Sequence, residues 1–579
     1  MNSEEDIESF IFIQALENAV LFKGKANPKA IIGKVIAKFP EVKKDMQHYM
    51  NSINNIVKQI NDLNPDEQEN KLRELNPKFF EKSKEKKPVK EKKKLPELSN
   101  VDNKIITRFE PAPSGYLHLG HLYAIIPNFE YVNEYGGEFI LRIADTNPDN
   151  ISKENYDKVI EDIKWITDNY DFKVYYQSRR IELYYEYLEK IINKERAYVC
   201  FCDGDTFKQY NDASKPCPHR NSSVEENIGH YKKMLEDKYK QGQAVVRFKG
   251  DLDNKNPALR DFTLARINKT QHPMAKDNYV LWPTMHLAVA VDDIEMKLTH
   301  VIRGKDHEIN MLRQKMIHEL LGLKSPEYFH LGRVKFTDIT LSKTEFSNNI
   351  KEGKYTGWDD PRIPTLVSFK RRGYRAKAFR EMIVEMGAVS KRDSKISYEE
   401  YLKNLNFHNK KILEKESDRF FFISDKVEIE IINKENIDFQ EITHPKHPED
   451  KSRGFRKFKL HNKYYIEKND FDNLEKNDIF RMMHFGNFEV INKEKDKIEV
   501  KFLSKEYSKE IKIKSNIHFL EIENYENCKI IMPDNSILEG ISENTGNIKI
   551  DETIQFERFG FVRFDRKEQE TKFYYFAHR

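Results

Sequence analysis

Residues 111–121 read Pro-Ala-Pro-Ser-Gly-Tyr-Leu-His-Leu-Gly-His and directly follow the apolar run 104–109. That run has the character of a buried strand. The stretch 120–134 places Leu122, Ile125, Ile126, Phe129 and Val132 on one helical face. A strand that feeds a glycine-containing turn at a helix start leaves backbone N–H groups unpaired, and the helix dipole favours anions there. His118 and His121, three residues apart, add donors at the same end. The chemistry that fits is phosphate binding, in which reactants are positioned and developing charge on oxygen is neutralised. A single histidine in that place can also be a satisfied helix-start residue, so this element alone does not decide the matter.

A second group of reactive side chains is Cys200-Phe-Cys202 with Cys217-Pro-His219. Three thiolates and an imidazole form a donor set for Zn2+, and a small loop-rich region gains stability from such a clip. Ordinary buried thiols are the alternative. Cys528 stands alone and reads as a packed thiol. Four cysteines in 579 residues argue against a disulfide framework.

The elements around these groups alternate. Strand signals at 105–108 and 138–143 flank the helix after Gly120, and helical stretches follow at 156–168 and 181–193, a βαβ pattern with a parallel sheet. Pro127 is expected to kink the first helix. Residues 196–280 break the rhythm and carry the cysteines. The sheet is expected to resume with strands at 288–291 and 298–302. Helical patterns dominate 365–415. From 417 onward short strands such as 420–423, 463–466 and 498–502 suggest antiparallel barrels. The N-terminal 78 residues read helical, with Ile7, Phe10, Ile11, Leu16 and Val20 at helical spacing and amphipathic segments at 31–39 and 46–63. Residues 81–95 are almost wholly charged and cannot order themselves by burial, as in a solvated linker or a basic tether for RNA phosphates. A net charge of +4 neither demands nor excludes nucleic acid. No apolar run reaches the ~18 residues of a membrane span, and the acidic start lacks a signal-peptide pattern, so a cytosolic protein is expected.

The string from Pro113 through Ser114, Gly115, Tyr116, Leu117, His118, Leu119 and Gly120 to His121 resembles the HIGH element of class I aminoacyl-tRNA synthetases, with flanks similar to the glutamyl and glutaminyl branch. Leu341-Ser342-Lys343, followed by residues 357–365 (Gly-Trp-Asp-Asp-Pro-Arg-Ile-Pro-Thr), resembles the KMSKS region of that branch. Two elements in this order make chance unsatisfactory as an explanation. The resemblance covers essentially the whole chain, and the helical start and all-β end are similar to archaeal-type glutamyl enzymes. It implies a multidomain protein with an α/β Rossmann-like class I core. The implied parts are an N-terminal helical region (1–80), a charged linker (81–100), the first catalytic half (101–195), an insertion for the tRNA acceptor end (196–280), the second catalytic half (281–345), a helical stem-contact region (346–415) and C-terminal antiparallel β-barrels for the anticodon (416–579).

The implied reaction is ligation of L-glutamate to tRNA(Glu) through a glutamyl-adenylate, with ATP and Mg2+; tRNA(Gln) is left open as a second acceptor, and so is the oligomeric state. In this branch tRNA is itself usually required for activation. His118, His121 and Lys343 are the implied catalytic residues, Lys343 reaching the β and γ phosphates from a flexible loop as a mobile point charge. Pro113, Ser114, Gly115, Gly120, Arg333, Val334, Leu341 and Ser342 complete the implied ATP site. Arg333, Val334 and Leu341 lie at the adenine, and Gly115 and Gly120 let the backbone approach. Arg108 and Arg303 are the implied carboxylate readers, since guanidinium grips carboxylate as a fork. A charged reader at 303 favours a γ-carboxylate over an amide, against the glutaminyl alternative.

Three departures stand out. Ala144 occupies the strand position where the branch offers a carboxylate to the substrate ammonium. Asp145 replaces it only if the turn reorients it, because adjacent strand residues face opposite ways. Met285 occupies the place of a pocket tyrosine, with His286 beside it as a donor. Thr344-Glu345 follow Lys343 where a basic residue is usual. Either the pocket is rebuilt, or the chain is a tRNA-binding paralogue with weak or no catalysis. Among many anticodon-reading candidates are Arg453, Arg456, Lys457, Tyr464 and Tyr465.

Overall fold

Gly136 and Gly137, both at positive φ, end one helix and open a strand that lies flush against its neighbour. Strands β1 (Ile105–Phe109), β2 (Gly137–Ile143) and β3 (Lys173–Tyr176) run parallel with β2 in the middle. A second parallel pair, β4 (His300–Gly304) and β5 (Glu327–Leu331), joins the first through Thr299 N, which donates to Ile106 O at 3.1 Å. The order is therefore 3-2-1-4-5, and the connection reverses between β1 and β4. Ligands of open α/β sheets bind beyond the carboxyl ends at such a reversal, and Arg108 and Arg303 sit near those ends. Helix Leu119–Tyr135 links β1 to β2 and runs unbroken through Pro127. It packs Leu122, Ile125, Ile126 and Phe129 on Phe139 and Leu141 of β2 and on Val159 and Ile163 of helix Lys153–Ile166. The computed structural model describes residues 4–579 apart from 23, 78, 80–94, 102–103, 388 and 508–510. The linker expected at 81–100 falls largely outside the described residues.

Residues 288–291 do not form the strand expected of them. They lie inside helix Met285–Glu295, of which Leu287 through Asp293 are all buried. A segment covered on every side shows no amphipathic period, so a short apolar run cannot be told from a buried strand. What fixes the helix is the buried Asp292-Asp293 pair at its end, which meets arginines of three other segments.

Between β3 and β4 the chain forms an antiparallel four-stranded sheet, Ala197–Cys200, Val245–Phe248, Phe262–Ile267 and Leu281–Pro283. After Lys343 the chain returns through helices Leu366–Arg371, Ala376–Glu385 and Tyr398–Glu416. Strand Ser394–Ile396 ties them to Val334–Phe336.

The C-terminal region holds two seven-stranded sheets, each closed by a single short segment that serves as both of its edges. Arg419–Phe420 pairs with Thr553–Phe556 while Phe422–Ile423 pairs with Ile537–Ser542. Asn516–Ile517 and Leu520–Glu521 close the other sheet in the same way against Ile479–Met482 and Lys463–Glu467. Each barrel is mainly antiparallel, with two parallel pairs apiece. Phe420 and Phe422 enter the core of one barrel, and Phe421, between them, enters the core of the other.

The chain divides into two compact units, Met1–Lys92 and Lys93–Arg579. The first has its own core, built on Ile11, Leu16, Val35, Ile53 and Leu72. Besides the three helical segments expected from spacing it has a fourth, Pro65–Leu75, opened by a reciprocal capping box between Asn64 and Glu67. Asn64-Pro65-Asp66-Glu67 is the sequence signal for it.

A Cβ on Gly137 would lie 1.9 Å from Ile105 O. Neither backbone can give way without breaking the β1–β2 register. Gly137→Ala is therefore expected to destabilise the larger unit by roughly 3 kcal/mol or more, seen as a lowered unfolding temperature of its transition in calorimetry, with the N-terminal unit's transition unmoved.

Candidate active site

His118 is the N-cap of helix Leu119–Tyr135 and holds an extended backbone. Its Nδ1 accepts from Gly120 N at 3.1 Å, and its own N–H donates to His121 Nδ1 at 3.1 Å. His118 Nδ1 accepts, which assigns its ring proton to Nε2, whereas His121 Nδ1 lies 3.1 Å from His118 N and 3.3 Å from His118 O, a position that suits either tautomer. The ring centroids are 3.9 Å apart. Burial, reinforced by the Lys343 ammonium, pushes His118 down to about 4. Burial, then His118 and Lys343, holds His121 well below the usual range. At neutral pH both rings are uncharged N–H donors.

The positive charge comes from Lys343. Its Nζ donates to Gly115 O at 3.2 Å, across 228 residues of sequence. Gly115 has φ +140°, and a Cβ there would meet Lys343 Cδ at 3.5 Å and Trp358 Cη2 at 3.8 Å. Trp358 in turn stacks on Tyr116, with centroids 5.3 Å apart. Backbone bonds from Leu119 N to Pro364 O and from Leu366 N to Leu117 O fasten the turn to the segment after Trp358. Asp162 lies beneath, accepting from Leu117 N at 3.1 Å, and burial raises its carboxyl to about 7. Lys343 is not on a free loop. It is the first residue of helix Lys343–Lys351, capped by Ser342, whose Oγ accepts from Glu345 N at 3.3 Å. The acidic residue that departs from the family pattern thus stands in the first turn of a helix, where negative charge is favoured. Leu341 rests against Gly120, its Cδ1 3.3 Å from where a Cβ would stand. Pro113 is buried and Ser114 exposed on the turn. Arg333 is exposed, its N–H donating to Asp393 Oδ1, and Val334 is half-buried in its strand.

A cavity of about 690 Å3 opens at the ends of β1, β2 and β4, with Arg108, Glu110, Ala144, Met285, Arg303 and His307 in its wall. Arg108 and Arg303 are both buried, and the Nε of each has no hydrogen-bond partner among the described residues. Arg303 Nη2 donates to Gln314 Oε1 at 2.8 Å. Burial and then the Arg108 guanidinium bring Arg303 down to about 10. Two adjacent buried guanidiniums with unused N–H groups call for an anion.

Behind them Arg142, with no exposed surface, donates from Nη2 to Glu110 at 2.8 Å and to Asp293 at 2.7 Å. Asp292 accepts from Arg180 and Tyr184 at 2.7 Å each and from Gln177 at 3.0 Å. Glu110 and Trp358 carry weight that the sequence reading did not give them. For Glu110 a signal existed, since residues two apart on a strand share a face and Arg108 had been singled out.

Asp145 does not reach the cavity. Its carboxylate accepts from Tyr156 Oη, Ser178 N and Ser178 Oγ at 2.9, 2.7 and 2.6 Å, so alternation prevails and the group is spent on holding β2 to the segment after β3. His286 turns to a neighbouring cavity and meets Arg313 Nη1 at 3.0 Å. Arg456 and Tyr464 are core residues: the arginine is paired with Glu543 and Glu557, and the tyrosine donates to Lys459 O. Arg453, Lys457 and Tyr465 retain exposure.

Cys200, Cys202, Cys217 and His219 converge, their ligand atoms all within 4.8 Å of one another. Cys200 Sγ lies 3.9 Å from Cys217 Sγ, and Cys202 Sγ lies 3.5 Å from His219 Nδ1. A tetrahedral zinc with ~2.3 Å sulfur arms has edges of about 3.8 Å, so the donor set fits. The Cys200–Cys217 contact lowers the Cys200 thiol and raises that of Cys217, and burial raises Cys202, so what suits the site to a metal is the geometry of the four donors.

The model of the tRNA synthetases class I (E and Q) catalytic domain matches residues 104–436, and that of the anti-codon binding domain of the same group matches 417–508. The chain is 39% identical over 584 residues to a glutamate–tRNA ligase of Thermococcus onnurineus, covering 99% of this chain and 100% of that one. It is 38% identical, with the same coverage, to those of Pyrococcus furiosus and Methanobrevibacter smithii. A glutamate-tRNA synthetase structure from Elizabethkingia anophelis is 25% identical over 54% of this chain and 71% of its own, at a TM-score of 0.38.

Because His118 is held neutral when folded, with its pKa near 4 against 6.5 for a free imidazole, the unfolded chain binds more protons between those values. The stability it confers is present above pH 6.5 and is lost as pH falls toward 4. His118→Asn keeps a capping oxygen and cannot titrate. The variant's unfolding temperature is expected to fall less than the wild type's between pH 7 and pH 5.

Proposed function

The chain belongs to the class I (E and Q) tRNA synthetases, and we propose from this that it ligates L-glutamate to tRNA(Glu) through a glutamyl-adenylate, using ATP with Mg2+. The observation that carries the reading is Lys343 folded onto the Gly115 turn beside two neutral imidazoles, next to a cavity walled by two buried arginines.

In the first step a carboxylate oxygen of glutamate attacks the α-phosphorus of ATP, and pyrophosphate leaves with the bonding pair. The ammonium of Lys343 and the Nε2–H of His118, with the neutral imidazole of His121 beside it, offset charge building on the phosphate oxygens, as preorganised groups that need no reorganisation. In the second step a hydroxyl of the terminal adenosine of tRNA attacks the acyl carbon, and AMP departs. Arg108 and Arg303 bind carboxylate and reject the neutral amide of glutamine, which leaves a buried guanidinium uncompensated. That favours glutamate over glutamine. The same reading places the enzyme in the cytosol; its thiols are free. Cys200, Cys202, Cys217 and His219 would hold a Zn2+ that would clip the insertion and supply no chemistry to the reaction.

Purified protein is expected to charge tRNA(Glu) with labelled glutamate and not with labelled glutamine; the reverse outcome would overturn the assignment. The same assay on tRNA(Gln) reports the second acceptor. Lys343→Ala is expected to cut glutamate-dependent pyrophosphate exchange roughly 100-fold or more while leaving tRNA affinity within a few-fold; unchanged exchange removes Lys343 from the reaction. Elemental analysis is expected to find one zinc per chain, lost in Cys200→Ser, with the insertion then cut sooner by protease.

A further inference from the structure

The substrate of the reading above has three charged groups, and the cavity wall shows a partner type for only two of them so far. Arg108 and Arg303 suit carboxylates. An ammonium needs an anionic acceptor in reach. Ala144 offers none, and Asp145 is fully buried with both carboxylate oxygens engaged by Tyr156 and Ser178. Asp292 and Asp293 are fully buried and do not line the cavity.

Among the described residues that line it, one acid remains, Glu110. Its side chain is 13% exposed and its position is set from behind: Arg142 Nη2 donates to Oε2 at 2.8 Å and Gln177 Nε2 to Oε1 at 3.2 Å. Each oxygen has one such donor, and a carboxylate offers about four lone-pair sites in all. Arg108 Nη2 stands 3.7 Å from the same carboxylate, so the anion and the carboxylate reader are neighbours, as the α-ammonium and α-carboxylate of an amino acid are.

Charge balance points the same way. Around this wall five guanidiniums (Arg108, Arg142, Arg180, Arg266, Arg303) meet four carboxylates (Glu110, Asp149, Asp292, Asp293), with ion pairs linking Arg108, Arg142, Arg180 and Arg266 to them. The excess is one positive charge. A glutamate zwitterion carries one net negative charge and closes the set. A dicarboxylate without its ammonium would overfill it by one charge and leave Glu110 facing carboxylate.

We propose that Glu110, on the assumption that glutamate is the substrate, is the residue that binds the substrate's ammonium group. It takes over from the vacated strand position at Ala144 and sets the preference for an amino acid over a plain dicarboxylate.

The test compares glutamate with glutarate, which has the same two carboxylates and no amine. In wild type, KM for glutamate in tRNA-dependent pyrophosphate exchange is expected to lie well below the inhibition constant of glutarate. In Glu110→Gln, KM for glutamate rises about 10-fold or more, KM for ATP holds, and glutarate inhibits as well as before or better. If Glu110 merely props Arg142, glutamate and glutarate weaken together, and the proposal fails; it fails equally if KM for glutamate does not move. Should Glu110→Gln not fold, Glu110→Asp carries the test, since it keeps the charge and shortens the reach: glutamate weakens and glutarate does not, or the assignment is wrong. Wild-type charging of tRNA(Glu) with glutamate runs alongside. Its absence sinks the underlying reading, whereas charging with an unaltered glutamate-to-glutarate ratio in the variant sinks only the role of Glu110.

Discussion

Arg142 is the constraint on which the larger unit turns. A guanidinium with no exposed surface is tolerable only while its carboxylate partners stay in place. Here one of its nitrogens serves both Glu110, just beyond β1, and Asp293, at the end of the buried helix. Asp292 extends the set to Arg180, Gln177 and Tyr184. Four stretches of chain far apart in sequence therefore meet at one charge. Loss of either Asp292 or Asp293 leaves this buried cluster one carboxylate short, and breaking a buried pair in this way usually costs about 3–5 kcal/mol. The wall of the cavity is in this sense an ionic lattice, and it holds Arg108 and Arg303 side by side in the lining of the cavity.

The phosphate side is built on a different principle. Two imidazoles are stripped of charge by burial and by a nearby ammonium, so they contribute directional N–H groups and not net charge. Lys343 brings the cation, and burial lowers its own pKa in turn. Separating direction from charge in this way avoids crowding three like charges into one turn. The turn itself is braced from three sides, by Asp162 below, Trp358 beside Gly115 and the backbone of 364–366.

How far the sequence could be read depended on whether local pattern or distant context governed a residue. The β1–turn–helix element was legible, since alternating strand character, glycine and histidine at the helix start are local signals. So were the cysteine spacing, the two arginines and the all-β end. Residues 288–291 were not, because a helix buried all round has no polar face to report its period. Asp145 was legible only by strict alternation, and that rule held. Glu110 carried a local signal, two residues from Arg108 on one strand face, but its meaning depends on Arg142 and Gln177, which arrive from elsewhere. Lys343 was recognisable as a cation but not as the opening residue of a helix, whose cap rests on Ser342 and Glu345. Arg456 and Tyr464 look like nucleic-acid contacts in composition, and only tertiary packing reveals them as core.

Phe421 sits where one barrel's sheet is closed, yet its ring belongs to the interior of the other. Three successive residues thus act as a spline between two cylinders. Sliding either barrel against the other would therefore draw an aromatic ring out of a packed core.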